Sequence, residues 1–246
     1  MPTQPTVLVV GGTGRTGGRV VRQLLERGAR VRAIVRSAAR LPAGVAADPA
    51  FSCLEADLLS LGEADLVSQV RGCDAVVSCL GHTISLKGIF GPPRALVTDA
   101  VRRLCRAIEA SGPAGPVRFV LMSSVSVNRP GAVEPRRGML DRLVLWLLRG
   151  LVPPARDNQR AAEFLHREIG TRNPRLEWVC VRPDTLVEGD VSRYAVHESI
   201  VSGLFKPDSS SMANVAHFMC ELVEDPGTWG RWAGKLPVVV NSSLDR

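Results

Sequence analysis

Three glycines, Gly11, Gly14 and Gly17, stand where an apolar run, Val7-Leu8-Val9-Val10, meets a helical pattern with Val20, Val21, Leu24 and Leu25 on one side. The spacing gives each glycine a physical job. Gly11 lets the chain turn sharply off a strand. Gly14 lets backbone come close to a pyrophosphate, and Gly17 lets a helix pack tightly on a sheet. The helix N-terminus then offers unpaired N–H groups and a partial positive charge to the anion. Thr13, Arg15 and Thr16 fill the rest of the turn. The chemistry expected here is the binding of a dinucleotide phosphate.

A second set of residues bears on which dinucleotide. Residues 30–35 alternate as a strand and end at Arg36-Ser37, with Arg40 close behind and no acid between. At the end of the second strand of a dinucleotide fold, Asp or Glu binds a ribose 2′-hydroxyl, whereas arginine suits a 2′-phosphate. Arg15 lies on the same side, and a planar guanidinium grips phosphate well. The residues therefore favour NADP(H) over NAD(H). Asp57 and Leu58 follow a short third strand, 51–55. Asp57 is read either as an acceptor for the adenine amino group or as an ordinary turn residue. Leu80 and Gly81 close a fourth strand over 74–80, whose end lies beside the cofactor by topology.

Hydroxyls come next. A fifth strand, 117–122, runs straight into Ser123-Ser124-Val125-Ser126. Strand carboxyl ends carry the chemistry in such sheets, so Ser123 and Ser124 are the candidates for polar contacts to a nicotinamide or a substrate carbonyl. His82 opens a long loop, 82–93, either as a third catalytic candidate or as a surface residue. Only His82 and Asp184 stand near enough to offer a separate acid–base pair.

The elements that position these groups alternate between strand and helix. Helices are expected over 60–70, 94–111 and 157–169, and a sixth strand over 176–181 leads to Arg182-Pro183. Pro183 is expected to end that strand, since proline cannot continue a central one. Residues 138–152 are apolar on nearly every face. They suit a lid or a subunit contact, with a buried helix or a membrane-surface helix as the alternatives. The remainder is irregular: short strands at 194–197 and 200–205, a serine-capped helix over 211–224, a loop at 229–232 and a last strand at 237–240. The pattern predicts an α/β, Rossmann-type doubly wound parallel sheet with helices on both faces. One domain is expected over 1–246, with 183–246 supplying most of a substrate cleft.

Composition sets outer bounds. The chain has 246 residues, of which 45% are hydrophobic, enough for one substantial core. No run approaches the roughly 20 apolar residues of a membrane span, and no secretory signal is visible, which points to the cytoplasm. The six cysteines form no C-x-x-C pair and read as reduced core residues. The four histidines match no metal-ligand spacing, so no metal site is expected. The net charge of +7 is carried almost entirely by arginine and suits an anionic ligand. No nucleic-acid motif accompanies it.

Taken in order, Gly-Gly-Thr-Gly-Arg-Thr-Gly at 11–17, Arg36-Ser37, Ala56-Asp57-Leu58, Leu80-Gly81, Met122-Ser123-Ser124, Ala161-Ala162-Glu163 and Val181-Arg182-Pro183 resemble the atypical short-chain dehydrogenase/reductase superfamily. The resemblance covers nearly the whole chain and is strongest to the NmrA-like and NAD(P)H-binding branches. It implies NADP in the crevice of a parallel sheet. Active members commonly carry a Tyr-x-x-x-Lys pair, which would fall here on Ala155 and Gln159. The only tyrosine, Tyr194, has Glu198 four places on, so there is no displaced copy. The chain is also similar to the biliverdin-IXβ/flavin reductase type, which works without that pair. There a Thr-Ser follows the fifth strand as Ser123-Ser124 does here, and an Asp-rich helix start matches Asp157-Asn158. The resemblance implies an NADPH-dependent oxidoreductase acting on a small, apolar or aromatic conjugated acceptor. Two other readings stay open: a non-catalytic, redox-sensing NADP(H)-binding regulator with a protein partner or a homodimer contact through 138–152, and an enzyme using NADP(H) for dehydration or isomerisation.

Overall fold

The computed structural model describes residues 4–82, 93–130, 134, 138, 141, 144, 152–203 and 206–242. Most of the expected loop 82–93 and of the apolar stretch 138–152 lies outside these residues.

The buried run at the N-terminus forms β1 (Thr6–Val10), and α1 (Arg15–Glu26) follows after the glycine turn. Next come β2 (Arg30–Val35), β3 (Phe51–Glu55), α2 (Glu63–Val70), β4 (Ala75–Ser78), α3 (Leu96–Ser111) and β5 (Val117–Met122). The chain continues through α4 (Pro153–Phe164), β6 (Leu176–Pro183), β7 (Thr185–Val187), β8 (Tyr194–His197) and β9 (Ser209–Ser211). It closes with α5 (Met212–Glu224), α6 (Pro226–Trp232) and β10 (Val238–Asn241).

Eight strands share one sheet in the order β3-β2-β1-β4-β5-β6-β10-β8. Every pairing is parallel except β8 on β10. Parallel strands need both faces covered, and both are. Leu8, Val76, Phe119, Leu121 and Cys180 face Leu66, Leu104, Ile108 and Ala161 of α2, α3 and α4. Val7, Val9, Val77, Val120 and Val179 face Val20, Leu24, Val215, Phe218 and Trp229 of α1, α5 and α6. The fold is the expected doubly wound α/β architecture. Strand order reverses between β1 and β4, which opens the crevice at their carboxyl ends.

Several local expectations are corrected. β6 does not stop before Pro183: Val239 of β10 pairs with it, and its carbonyl accepts the Val125 N–H at 3.0 Å. As the last strand residue it forfeits a single donor, which the sheet tolerates. Pro153-Pro154 opens α4, where a missing N–H costs nothing. That helix then loosens to π-helical geometry at Leu165–Ile169. The expected loop at 229–232 is helical, because Asp225 caps α6 by accepting the Thr228 N–H and because Trp229 and Trp232, three apart, bury one face. The strand expected at 200–205 is reduced, among the described residues, to a bridge between Gly203 and Lys206. The small parallel pair β7–β9 was not anticipated.

Candidate functional site

At the phosphate end, the turn is fixed by two glycines. Gly11 has φ of +81°, and a Cβ there would fall 2.6 Å from the Cys79 carbonyl. A Cβ on Gly17 would fall 2.2 Å from the Gly11 oxygen. The head of α1 is thereby pressed onto the ends of β1 and β4, as the spacing demanded. Gly14 is the exposed N-cap, its N–H bonded to the Gly11 carbonyl at 3.0 Å. No side chain caps this helix. The first-turn N–H groups of Arg15, Thr16 and Gly17 therefore have no capping side chain and are left for an anion to take. These features fit a dinucleotide pyrophosphate: a side-chain-free approach at Gly14 with helix donors behind it. Thr13 is half-buried beside them, whereas Thr16 is buried. Cys79 lies under the turn, and burial pushes its thiol up to about 12, so it stays protonated.

Arg36 emerges exposed from the end of β2, and Ser37 precedes a short helical turn, Ala38–Arg40. Glu55, opposite Val35, caps that turn by accepting the Ala38 N–H at 2.9 Å. Asp57 accepts the Leu59 N–H at 3.0 Å in a local turn, and Leu58 is buried in the core. Leu80 is half-buried and Gly81 exposed at the end of β4.

At the substrate end, the two serines separate. Ser123 is buried beside the Cys180 thiol. Ser124 instead lines a cavity of about 290 Å³ with Val125, Ser126, Pro183, Asp184 and Thr185. Ile200, Ser202, Gly203 and Pro207 complete its wall. The Ser124 and Ser126 hydroxyls lie 2.6 Å apart, and Ser124 Oγ also accepts the Ser126 N–H at 3.2 Å. The buried Asp184 carboxylate accepts the Thr185 N–H at 2.7 Å and is bonded by the Ser202 hydroxyl. The cavity thus mixes hydroxyls with proline and aliphatic surface.

The His82 side chain is buried, with Nε2 2.9 Å from Asp157 Oδ2. Asp157, from the start of α4, also accepts the N–H groups of Val97 and Thr98 at 2.8 and 2.9 Å. One carboxylate therefore caps α3 and orients His82. Gln159, on the same helix, is engaged with Asn128 in both directions, donating to its carbonyl and accepting its N–H. Tyr194 lies on β8 with its hydroxyl 2.9 Å from His217 Nδ1, and burial pushes its phenol up to about 12.

The residue that spacing could not place is Arg182. It is fully buried, with Nη1 2.6 Å from Glu134 Oε1. It also donates to the carbonyls of Val127, Leu236 and Glu198. Glu134 Oε2 accepts the Ile200 N–H at 3.2 Å. Arg182 thereby joins the turn after β5 to the 198–200 segment, the two walls of the cavity. A charged residue inside the apolar run of β6 was the available signal.

The match to known proteins agrees with this geometry. Residues 11–226 match the NAD(P)H-binding family. The chain belongs to that family. An uncharacterized chloroplastic protein of Arabidopsis thaliana is 31% identical over 212 residues, which is 83% of this chain and 73% of that protein. The anaerobillin reductase ChuY from Escherichia coli shares the fold with a TM-score of 0.67 at 16% identity, over 98% of this chain and 99% of that one. A short-chain dehydrogenase/reductase from Veillonella parvula, solved with NADP, aligns with a TM-score of 0.67 at 13% identity, over 99% and 98% of the two chains. The NAD(P)H-binding chain thus shares its fold with these two proteins. Among the described residues, no helix is long and apolar enough to cross a membrane, and no group of His, Cys, Asp or Glu could hold a metal.

Proposed function

We propose that this chain is an NADPH-dependent reductase that passes hydride to a small conjugated acceptor of the flavin, quinone or enone type. The observation that carries the reading is the Ser124–Ser126 hydroxyl pair on the wall of a cavity at the carboxyl ends of β5 and β6. The glycine turn and the head of α1 hold the pyrophosphate. Arg15 and Arg36 hold the 2′-phosphate, with Arg40 behind them. NADPH, when bound, supplies the hydride. Either hydroxyl of the Ser124–Ser126 pair can donate; with Ser126 as the donor, the Ser124 proton is directed at the acceptor oxygen. Pro183, Ile200 and Val125 supply flat apolar surface for a ring.

Ala155 and Gln159 stand where a tyrosine and a lysine would serve as acid and pKa-lowering partner. Gln159 ties down the Asn128 backbone instead. An acceptor that stabilises its own reduced form takes its proton from solvent and needs chiefly to be held in place. Positioning of that kind supplies roughly 7–11 kcal/mol in favourable cases. That the anaerobillin reductase has this same fold supports the reading.

The test is NADPH oxidation by the purified chain with riboflavin, menadione and a simple enone. At least one acceptor is expected to turn over. Ser124→Ala is expected to lower kcat/KM by about tenfold, the worth of one hydrogen bond at the reacting oxygen, with NADPH binding unchanged. Tight NADPH binding with no turnover of any acceptor would instead make the chain a redox-sensing regulator.

A further inference from the structure

Glu188 follows β7 in the last quarter of the chain, yet its carboxylate lies on the head of α1. Oε1 is 3.6 Å from Arg15 Nη1, and Oε2 is 2.5 Å from Arg19 Nη2. Arg19 is itself anchored, donating through Nη1 to the Arg15 carbonyl at 2.8 Å. Beside this trio a cleft of about 520 Å³ runs between α1, the turn at Arg40-Pro42 and residues 189–191. Arg15, Arg19, Arg22 and Arg40 line it, with Thr13 and Gly14 of the glycine turn at one end. Glu26 and Asp190 are the acids on its wall. Four guanidiniums against two carboxylates leave an excess of positive charge beside the loop that binds the dinucleotide, and Glu188 offsets part of it.

We propose that Glu188 is a displaceable stand-in for the cofactor's 2′-phosphate. It holds Arg15 and Arg19 while no phosphate is present, gives them up when NADPH binds, and so sets how strongly the chain prefers NADPH to NADH. The inference rests on the NADPH reading above. Its physical basis is a competition of charges. Glu188 carries one negative charge and its side chain is 63% exposed, against 66% for Arg15 and 31% for Arg19. An exposed ion pair of this kind is weak and easily exchanged. A 2′-phosphate brings about two charges and three acceptor oxygens to the same guanidiniums. The remaining carboxylate then repels the phosphate at short range, so Glu188 weakens NADPH binding without touching NADH.

The test is calorimetric titration of the full chain with 2′,5′-ADP, 5′-AMP, NADPH and NADH, for the natural sequence, Glu188→Gln and Arg19→Gln. Glu188→Gln is expected to tighten 2′,5′-ADP and NADPH by roughly three- to tenfold at low salt, a gain that shrinks at high salt. Binding of 5′-AMP and NADH is expected to stay within about twofold, since neither carries the 2′-phosphate with which Glu188 competes. Arg19→Gln is expected to weaken the 2′-phosphorylated ligands alone. Unchanged NADPH affinity in Glu188→Gln would overturn the inference. So would a loss of NADH and 5′-AMP binding, which would make Glu188 a ribose-hydroxyl acceptor. If the natural chain binds 2′,5′-ADP no better than 5′-AMP, the NADPH reading fails separately. In that case a preference appearing in Glu188→Gln still upholds the role of Glu188, and none appearing overturns both.

Discussion

At the phosphate end of the crevice, the geometry is made by backbone, in a stretch of seven residues packed on the end of β4. Gly17 meets the Gly11 carbonyl because it has no side chain, Gly11 meets the Cys79 carbonyl for the same reason, and the helix donors follow from those contacts. At the substrate end the geometry is made by side chains from distant parts of the chain. Arg182 reaches Glu134 48 residues back, and Leu236 54 residues on. Asp184 meets Ser202 18 residues on. The first kind of site is rigid by local sterics and serves an invariant ligand part. The second is held by long-range polar contacts, and a change in any one wall alters the cavity.

The sharpest way to break the comparison is at the Arg182–Glu134 pair. Removing Arg182 leaves the buried Glu134 carboxylate with only the longer Arg129 contact at 3.4 Å, and Arg182→Met is expected to cost about 3 kcal/mol in urea unfolding, the low end for a broken buried pair. The pair also sets a pH dependence. Burial alone would raise the Glu134 carboxyl, but the adjacent Arg182 guanidinium outweighs it and holds the group below its ordinary value. A lowered carboxyl contributes stability above the unfolded-state pKa of about 4.3 and loses it as pH falls through the folded value. The natural chain should therefore lose stability steeply below that window. Glu134→Gln should be less stable at neutral pH, and its difference from the natural chain should shrink in acid. Equal slopes for the two would remove the ion pair as the organiser of the cavity.

A smaller effect is expected at the phosphate end. Gly17→Ala places a methyl group 2.2 Å from the Gly11 oxygen, and backbone must shift to admit it. A loss of about 1–3 kcal/mol in stability is expected, as for other overpacked sites. Binding of both NADPH and NADH should fall together, because the shared pyrophosphate site is what moves. A loss confined to one dinucleotide would place the defect at the ribose instead.

These two ends also differ in how far they could be read from sequence. The strand–glycine–helix unit, the alternation of elements and both sheet faces follow from periodicity and turn chemistry, which act over a few residues. Arg36 and Ser37 at the end of β2 were legible for the same reason. Ser123 and Ser124 were legible as a pair, but which one points into the cavity was not. The answer depends on strand parity against Cys180 of β6, a tertiary fact. Arg182 was visible only as a charge within a strand, and its partner could not be named. The helix at 226–232 was hidden by a glycine-rich composition that Asp225 and two buried tryptophans override.

The finest division lies within the phosphate end itself, between the backbone proposed to take the pyrophosphate and the arginines proposed to take a 2′-phosphate. Arg36 is exposed, and the neighbouring Glu55 is occupied by the Ala38 N–H. Removing the guanidinium should therefore leave the turn intact. Arg36→Ala is expected to weaken NADPH by about tenfold, the worth of a charge-assisted hydrogen bond, and to leave NADH within twofold. The loss should diminish at high salt, as it does for solvent-facing charges. Equal losses for both dinucleotides would mean that Arg36 supports the loop and not the phosphate. Any selection of NADPH would then rest on Arg15 and Arg19, the two arginines that Glu188 holds.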